Sequence, residues 1–312
     1  MRPTSKFAAE YSRRAVIGAG FGGFSALALS GLARPARAEN FSPVAVGFDA
    51  KGLLFWDSRL LRSDDDGLSW TELPSPGEIA SLATHPGRPG RIIAGLASKG
   101  VALSHDGGRD WMLLGADLPS LPVHAVTVSA KNPDLIYAAV EGDGLWKSED
   151  AGESWLLAMD RPWLAGSERD PLTLASVNLE TGMGGIWIYA GTEAGLTRVP
   201  DCFCRWQDVR PGNAMDALVA GAAPPPVAPL PDGEPVLSIA SVPSTPERLY
   251  AALPSGVWES DDGGVVWTQM IQGSAAAIAV HPEDRKHIVA VIDGTLNLTH
   301  DGGRTWTATA VK

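Results

Sequence analysis

The sequence predicts an all-β fold built from repeats of one small antiparallel unit, and three observations support this prediction. An eight-residue pattern, Ser/Thr-x-Asp-x-Gly-x-x-Trp, here called the box, occurs five times, at 63–70, 104–111, 148–155, 260–267 and 299–306. A decayed sixth box at 199–206 keeps only the aspartate and the tryptophan. Short apolar runs alternate with Gly, Asn, Pro and Asp around the boxes, which is typical of strands joined by turns. A pattern that returns at a near-regular period predicts a repeat architecture.

The unit at 123–159 shows the predicted strands most clearly. Three apolar runs precede its box and one follows, as VHAVTVS, LIYAAV, LWKS and SWLLAM. A period of about 40 residues with four strands is typical of one β-propeller blade. The other units begin near residues 42, 78, 172, 236 and 275, so we expect six four-stranded antiparallel blades rather than seven. No apolar stretch follows a 3.6-residue period, which excludes a helical solenoid.

The box has the composition of a tight turn between the third and fourth strands of a blade. Its carboxylate and hydroxyl can accept hydrogen bonds from nearby backbone amides, and its glycine supplies a positive φ. The tryptophan, at the start of the outer strand, can bury a large ring. A catalytic centre is singular, whereas these aspartates recur in every blade, so we expect a structural role rather than calcium binding or catalysis. The residues concerned are Asp65, Asp106, Asp150, Asp201, Asp262 and Asp301, with Trp70, Trp111, Trp155, Trp206, Trp267 and Trp306.

The repeat resembles the Asp-box (BNR) repeat of sialidases, sortilin-type receptors and the photosystem II assembly-factor family. The segment NPDLIYAAVEGDGLWKSEDAGESW at 132–155 is especially similar to an assembly-factor blade, and the resemblance covers essentially residues 42–312. It implies a β-propeller fold. It does not fix an activity, because one fold hosts many functions.

A sialidase-like activity would require a tyrosine nucleophile. Tyr137, Tyr189 and Tyr250 occupy one repeat position, where other blades have Ile93 and Val289, so we expect them to pack the sheet. The Arg-Ile-Pro motif of sialidases is also missing ahead of the first box. A glycosidase with two carboxylates, or a glycan-binding propeller, stays open as the alternative function. The spacing of the histidines predicts no metal site, and no motif predicts a cofactor.

Two cysteines, Cys202 and Cys204, fall inside the decayed box, where Val199 and Phe203 stand in place of its Ser and Gly. In an exported protein the pair can form a small disulfide ring that holds a turn lacking its own hydrogen bonds. A metal or redox role is the alternative, although no further soft ligand is evident nearby.

The N-terminal segment RRAVIGAGFGGF at 13–24 allows two interpretations. Its glycines match the G-x-G-x-x-G dinucleotide fingerprint, but the strands that this site needs before and after it are missing. The signal-peptide interpretation accounts for the basic residues, the uncharged run and the small-x-small cleavage site at 36–38. SRRAVIG resembles a twin-arginine export signal. We therefore expect a signal peptide at 1–38, and a mature chain at 39–312 that is periplasmic or otherwise exported.

The charge of the chain restricts its partners. The net charge is −11 at pH 7, and residues 1–38 carry six Lys/Arg and one acidic residue, so the remaining chain has about −16. Nucleic acids and anionic lipids need a basic surface. We therefore expect neither nucleic-acid binding nor membrane insertion after cleavage of the signal, and we expect a monomer.

The predicted binding site lies on long connections between blades, because function concentrates on loops held by a rigid scaffold. Two connections are unusually long, at 159–171 and at 210–235; the second is a Pro/Ala-rich insertion that we expect to contribute little to the core. In a propeller these connections share a face with the turns between second and third strands. Trp163 lies outside any repeat position, so it is either a binding residue or a cover for a blade edge. The candidate partner-binding residues are Trp163, Arg161, Glu168, Arg169, Asp170, Glu141, Asp143, Glu193 and Asp293.

The sequence thus predicts an exported, non-catalytic propeller that binds a protein. The resemblance to assembly factors implies a scaffold or chaperone role for a membrane-bound or periplasmic complex. A glycan partner belongs to the alternative function.

Overall fold

Six antiparallel sheets, called blades 1 to 6 in chain order, surround a central axis in the computed structural model, which describes residues 44–49, 52–181, 185–211, 219, 221, 223 and 226–311. The innermost strand of each blade contacts the innermost strand of the next, and those of blades 1 and 6 also meet, so the ring is closed. The predicted six-bladed β-propeller is confirmed. The predicted signal peptide lies outside the described residues. No helix among the described residues has the length and apolar character needed to cross a membrane.

The strands run from the axis outward in chain order within each blade. Blade 1 contains β1 (Ala45–Asp49), β2 (Gly52–Trp56), β3 (Leu60–Ser63) and β4 (Thr71–Leu73). Blade 2 contains β5 (Ile79–Thr84), β6 (Ile92–Leu96), β7 (Val101–Ser104) and β8 (Met112–Leu114). Blade 3 contains β9 (Val123–Val128), β10 (Ile136–Val140), β11 (Gly144–Ser148) and β12 (Leu156–Met159). A two-stranded hairpin follows, made of β13 (Trp163–Leu164) and β14 (Ser167–Glu168).

The second half of the ring repeats this arrangement. Blade 4 contains β15 (Thr173–Val177), β16 (Trp187–Thr192) and β17 (Gly195–Pro200). Blade 5 contains β18 (Ser238–Ser241), β19 (Leu249–Leu253), β20 (Gly256–Ser260) and β21 (Thr268–Gln272). Blade 6 contains β22 (Ala275–Val280), β23 (Ile288–Ile292), β24 (Thr295–Thr299) and β25 (Thr307–Thr309).

Blade 4 differs from the others in its outer strand. Only an isolated bridge between Arg198 and Gln207 occupies the position of a fourth strand in this part of the described chain. This is also the blade with the decayed box, where Cys202 and Cys204 are joined by a disulfide. Phe203, between them, has a φ of 53° at the position that glycine occupies in other boxes.

The core is divided among six apolar clusters, and each cluster lies between two neighbouring blades. The second strands are buried along their whole length, as in IYAAV of β10 and IVAVI of β23. Such near-continuous apolar runs are expected for strands covered on both faces. The cluster between blades 1 and 6, called here the closing interface, includes Val46 and Phe48 of blade 1 with Val289 and Val291 of blade 6.

Five boxes form the turn that the sequence predicts. In each, the Ser or Thr hydroxyl donates to the aspartate and accepts the amide hydrogen of the box glycine. In blade 3, for example, Ser148 Oγ lies 2.7 Å from Asp150 Oδ1 and 2.7 Å from Gly152 N. The aspartate also accepts a hydrogen from the amide four residues later, such as that of Ser154 at 2.9 Å. The turn is therefore held from inside by local hydrogen bonds.

The box tryptophans join each blade to the one before it. Trp155 of blade 3 packs in the cluster shared with blade 2, and Trp267 of blade 5 in the cluster shared with blade 4. Both rings are buried, whereas those of Trp70, Trp111, Trp206 and Trp306 are half-buried. Four box indoles donate to the carbonyl of their box glycine, those of Trp111, Trp155, Trp267 and Trp306.

The last part of the Pro/Ala-rich insertion corrects one expectation. Leu230 is 8% exposed and belongs to the cluster between blades 4 and 5. Ala228 accepts a hydrogen bond from the amide of Trp267 at 2.8 Å and forms a parallel bridge with Val266. This stretch of the insertion therefore contributes to the core, because it pairs with the backbone beside a buried box tryptophan.

Candidate functional site

The loop face is the face of the ring formed by the turns between second and third strands, including 141–143, 193–194 and 293–294, and by the connections between blades. The hairpin of β13 and β14 belongs to this face because it connects the outer strand of blade 3 to the inner strand of blade 4. The opposite face carries the boxes. The propeller topology thus separates the structural turns from the long connections.

The β13–β14 hairpin presents Trp163 to solvent. Trp163 pairs with Glu168 and Leu164 with Ser167 across the hairpin. Ala165 and Gly166 form its two-residue turn, with φ values of 49° and 82°, as a type I′ turn requires. The Trp163 side chain is 67% exposed. Most of the indole is therefore open to solvent.

Ion pairs fasten the hairpin to itself and to blade 3. Arg161 contacts the carboxylate of Glu168 and lies 3.6 Å from that of Asp170. Asp170 also accepts a hydrogen bond from the amide of Gly142, in the turn between β10 and β11, at 2.9 Å. The amide of Arg169 donates to the carbonyl of Pro162 at 2.9 Å. These contacts of Arg161, Glu168 and Asp170 hold the hairpin that carries Trp163.

The remaining predicted residues lie in separate turns of the same face. Asp143 accepts a hydrogen bond from the indole of Trp146 at 2.7 Å, which is a contact within its own blade. Asp293 is the first residue of an Asp-Gly turn and accepts the amide hydrogen of Ser274 at 2.8 Å. Glu141 lies 4.0 Å from the imidazole of His124. Glu193 is exposed, and among the described residues no ion pair or hydrogen bond joins it or Asp293 to the hairpin.

Two cavities lie on the axis. One, of about 170 Å³, opens toward the boxes, and the other, of about 90 Å³, opens toward the loop face. The inner strands line both with mainly apolar and hydroxyl side chains, such as Leu82, Val126 and Ser176. No carboxylate is among the described residues that line either cavity. The three tyrosines at the shared repeat position, Tyr137, Tyr189 and Tyr250, are buried in the blades.

Hydroxyls and amides that donate to the box aspartates lower the pKa values of four of them, Asp65, Asp106, Asp150 and Asp301. The hydroxyl of Ser154, then its amide and the hydroxyl of Ser148, lower the pKa of Asp150 to about 2. The pKa values of Asp65 and Asp301 are also lowered, first by the hydroxyl four residues later, that of Ser69 or Thr305. These carboxylates are thus ionised structural acceptors at neutral pH.

We predict that Ser154→Ala raises the pKa of Asp150 toward its ordinary value of 3.8, because the largest cause of the shift is removed. A lowered folded-state pKa stabilises the fold above about pH 4, and this contribution is lost as the pH falls from about 4 to about 2. The variant should therefore lose less stability over that range. Carboxyl NMR titration measures the shift. Asp106, in the preceding blade, is the internal control; equal shifts at both sites would contradict the assignment.

One cluster escaped the sequence analysis. Asp66, His287 and His300 offer ligating atoms that all lie within 4.8 Å of one another. Asp66 comes from blade 1 and both histidines from blade 6, so no local spacing signals the cluster. It forms only because the ring closes.

The fold and the repeated turn place this chain among the repeat β-propellers. No family model matches the chain, and no curated protein matches it. Several solved structures are similar to it. The GH74 enzyme of Niastella koreensis aligns over 86% of this chain and 46% of its own, with 14% identity and a TM-score of 0.53. The β-propeller domain of Cps50 (Swd1) from Myceliophteria thermophila aligns over 82% of this chain and 96% of its own, with 14% identity and a TM-score of 0.52.

YCF48 bound to D1 peptide also aligns, over 86% of this chain and 77% of its own, with 16% identity and a TM-score of 0.47. The chain spans about half the length of the GH74 enzyme. At these identities the likeness shows the propeller fold and not the activity.

Proposed function

We propose that this protein is a non-catalytic propeller that binds a protein partner through the loop face, with Trp163 as the central contact. The observation that supports this is a large aromatic ring, 67% exposed, on a hairpin fastened by two carboxylates. Aromatic and arginine side chains dominate the energy of protein interfaces. A hairpin held in place before binding loses little backbone conformational entropy when a partner covers it.

The charge of the loop face indicates the kind of partner. Arg161 is already paired with Glu168 and Asp170, so it adds little free positive charge. Glu141 and Glu193 are exposed. The partner that fits best has an apolar pocket for the indole, with basic groups at its rim. A scaffold or assembly role is the version of this function that the resemblance to assembly factors favours.

The composition of the axial cavities supports binding over hydrolysis. A two-carboxylate glycosidase needs its acids on either side of the scissile bond. The described residues that line the two cavities carry none. The loop-face acids Asp143 and Asp293 accept hydrogen bonds from the indole of Trp146 and the amide of Ser274.

We predict that Trp163→Ala weakens binding of the partner at least tenfold, or about 1.4 kcal/mol, while the midpoint of thermal unfolding stays nearly unchanged. The partner would be identified by crosslinking the tagged protein in intact cells, and its affinity measured with purified components. Leu68→Ala is the matched control, since Leu68 is 87% exposed in the box of blade 1, on the opposite face.

Three results would contradict this proposal. One is that Trp163→Ala binds the partner as the wild type does. Another is that Leu68→Ala weakens binding equally. The third is cleavage of a glycosidic bond by the purified protein, lost when Glu141, Asp143, Glu193 or Asp293 is neutralised.

Export by the twin-arginine route, with cleavage after Ala38, completes the proposal. It rests on the basic residues and the small-x-small site of the N-terminal segment. N-terminal sequencing of the mature protein tests it, and a mature chain that retains residues 1–38 would contradict it.

A further inference from the structure

Among the described residues the ring closes without strand exchange. Blade 1 is formed by residues 45–73 and blade 6 by residues 275–309, and no described strand of one blade completes the sheet of the other. Packed side chains from both blades form the closing interface. Beside its apolar cluster, this interface contains three histidines and an aspartate.

His287 is the buried member of this group. It stands just before β23 and is 8% exposed, and Phe48 of blade 1 packs against its ring edge-on at 4.8 Å. Its Nε2 is buried and has no hydrogen-bond partner; the nearest carboxylate oxygen, Asp66 Oδ1, is 3.5 Å away. A buried polar atom without a partner costs free energy. Such an imidazole nitrogen facing a carboxylate can be satisfied in two ways. The two groups can share a proton in a hydrogen bond, or both can bind a cation that lies between them.

Asp66 is an unusual residue at its position. It has a φ of 58°, whereas three other boxes have Gly107, Gly263 or Gly302 at the same position and the blade 3 box has Ala151, with a φ of 62°. A residue other than glycine is strained in the left-handed region, although aspartate tolerates it better than most. The one box with a carboxylate here is the box that faces the histidines of the last blade.

His300 completes the group from the other side. It is the second residue of the blade 6 box, and its ring lies 4.3 Å from that of His287. His281 stacks on the far side of His287 at 5.5 Å, with 9° between the planes. Its Nδ1 accepts the amide hydrogens of Glu283 and Asp284. His281 therefore packs beside the site, and we do not count it among the ligands.

We propose that Asp66, His287 and His300 bind one Zn²⁺ ion, or a similar divalent transition metal, which locks blade 1 to blade 6. Two imidazoles and a carboxylate are ligands that zinc prefers, with water in the fourth position. Around a tetrahedral ion the ligand atoms lie about 3.3 Å apart. The three ligand atoms in this structure lie within 4.8 Å of one another, so they must move closer to bind the ion. Asp66 and His300 are exposed and can rotate inward, whereas His287 is fixed by its packing.

The experiment uses the full chain, freed of metal with a chelator and then titrated with ZnCl₂ by calorimetry and by thermal unfolding. We expect one Zn²⁺ per chain and a rise in the unfolding midpoint on zinc addition, because the metal binds only the closed ring. His300→Ala and Asp66→Gly should each weaken zinc binding at least tenfold. Both residues are exposed, so neither change empties the core.

The Asp66→Gly variant distinguishes a metal-binding role of Asp66 from a purely structural one. Glycine relieves the strain at this position, so the metal-free variant should unfold at the same temperature as the metal-free wild type or above it, yet lose the response to zinc. His105→Ala is the matched control, because His105 holds the position of His300 in the blade 2 box. Wild-type protein that binds no zinc, or binding that survives both Asp66→Gly and His300→Ala, would overturn the proposal.

Discussion

Replacing Trp155 with alanine is expected to lower the free energy of unfolding by about 3–5 kcal/mol. The indole is 3% exposed and packs in the cluster between blades 2 and 3, against residues such as Val101 and Val126. Its N–H also donates to the carbonyl of Gly152 at 3.0 Å, and this hydrogen bond is lost with the ring. The variant leaves a large cavity at a blade interface, where the sheets cannot collapse to fill it. Denaturant unfolding measures the change.

Two other tryptophans serve as matched controls for this prediction. Trp163→Ala removes the same side chain from an exposed site and should change stability by less than about 0.5 kcal/mol. Trp111→Ala should fall between the two, because its ring is only half-buried. Equal losses for Trp155→Ala and Trp163→Ala would mean that burial of the box indole does not stabilise the ring.

Arg62→Met is expected to cost about 3–5 kcal/mol, because it removes the guanidinium that balances the buried negative charge of Asp49. Arg62 donates to both carboxylate oxygens of Asp49 at 3.0 Å, and the two side chains are 7% and 1% exposed. Arg59→Met is the matched control. Arg59 pairs with Glu72 at 3.6 Å on the surface, with side chains 50% and 62% exposed, and such pairs contribute about 1 kcal/mol or less.

A double variant tests the reason for this loss. Asp49→Asn removes the buried charge but keeps an oxygen that can accept the amide hydrogen of Gly52, at 2.9 Å in the wild type. Asp49→Asn combined with Arg62→Met should therefore be more stable than Arg62→Met alone. If the two losses simply add, the penalty does not come from an unpaired buried charge.

The repeated units could be predicted because their determinants are local. A serine or threonine, an aspartate and a glycine within five residues hold each of the five intact boxes, so the turn is visible in the sequence before any packing is known. Blade 4 shows what happens when these local hydrogen-bonding residues are missing. Without the box serine and glycine, its outer strand is reduced to the bridge between Arg198 and Gln207.

The parts that escaped prediction depend on contacts between distant segments. From its composition, the Pro/Ala-rich insertion was expected to contribute little to the core. Leu230 is nevertheless buried in the same cluster as Trp267 of blade 5. The cluster of Asp66 with His287 and His300 forms across the two ends of the chain. For the candidate binding site, topology predicted the face. The sequence did not reveal that Arg161 and Asp170 hold the β13–β14 hairpin that carries Trp163.

The closing interface has a consequence for self-association. Each other blade interface joins segments that follow one another in the chain, whereas Phe48 and His287 are 239 positions apart. Forming this contact carries the largest loop-closure entropy, which grows slowly with loop length. An opened ring exposes two complementary apolar edges, that of blade 1 and that of blade 6. Because these edges differ, the blade 1 edge of one opened molecule fits the blade 6 edge of another, and the contact can repeat from head to tail. Weakening this one interface therefore favours domain-swapped rings and chains over loss of the blades themselves.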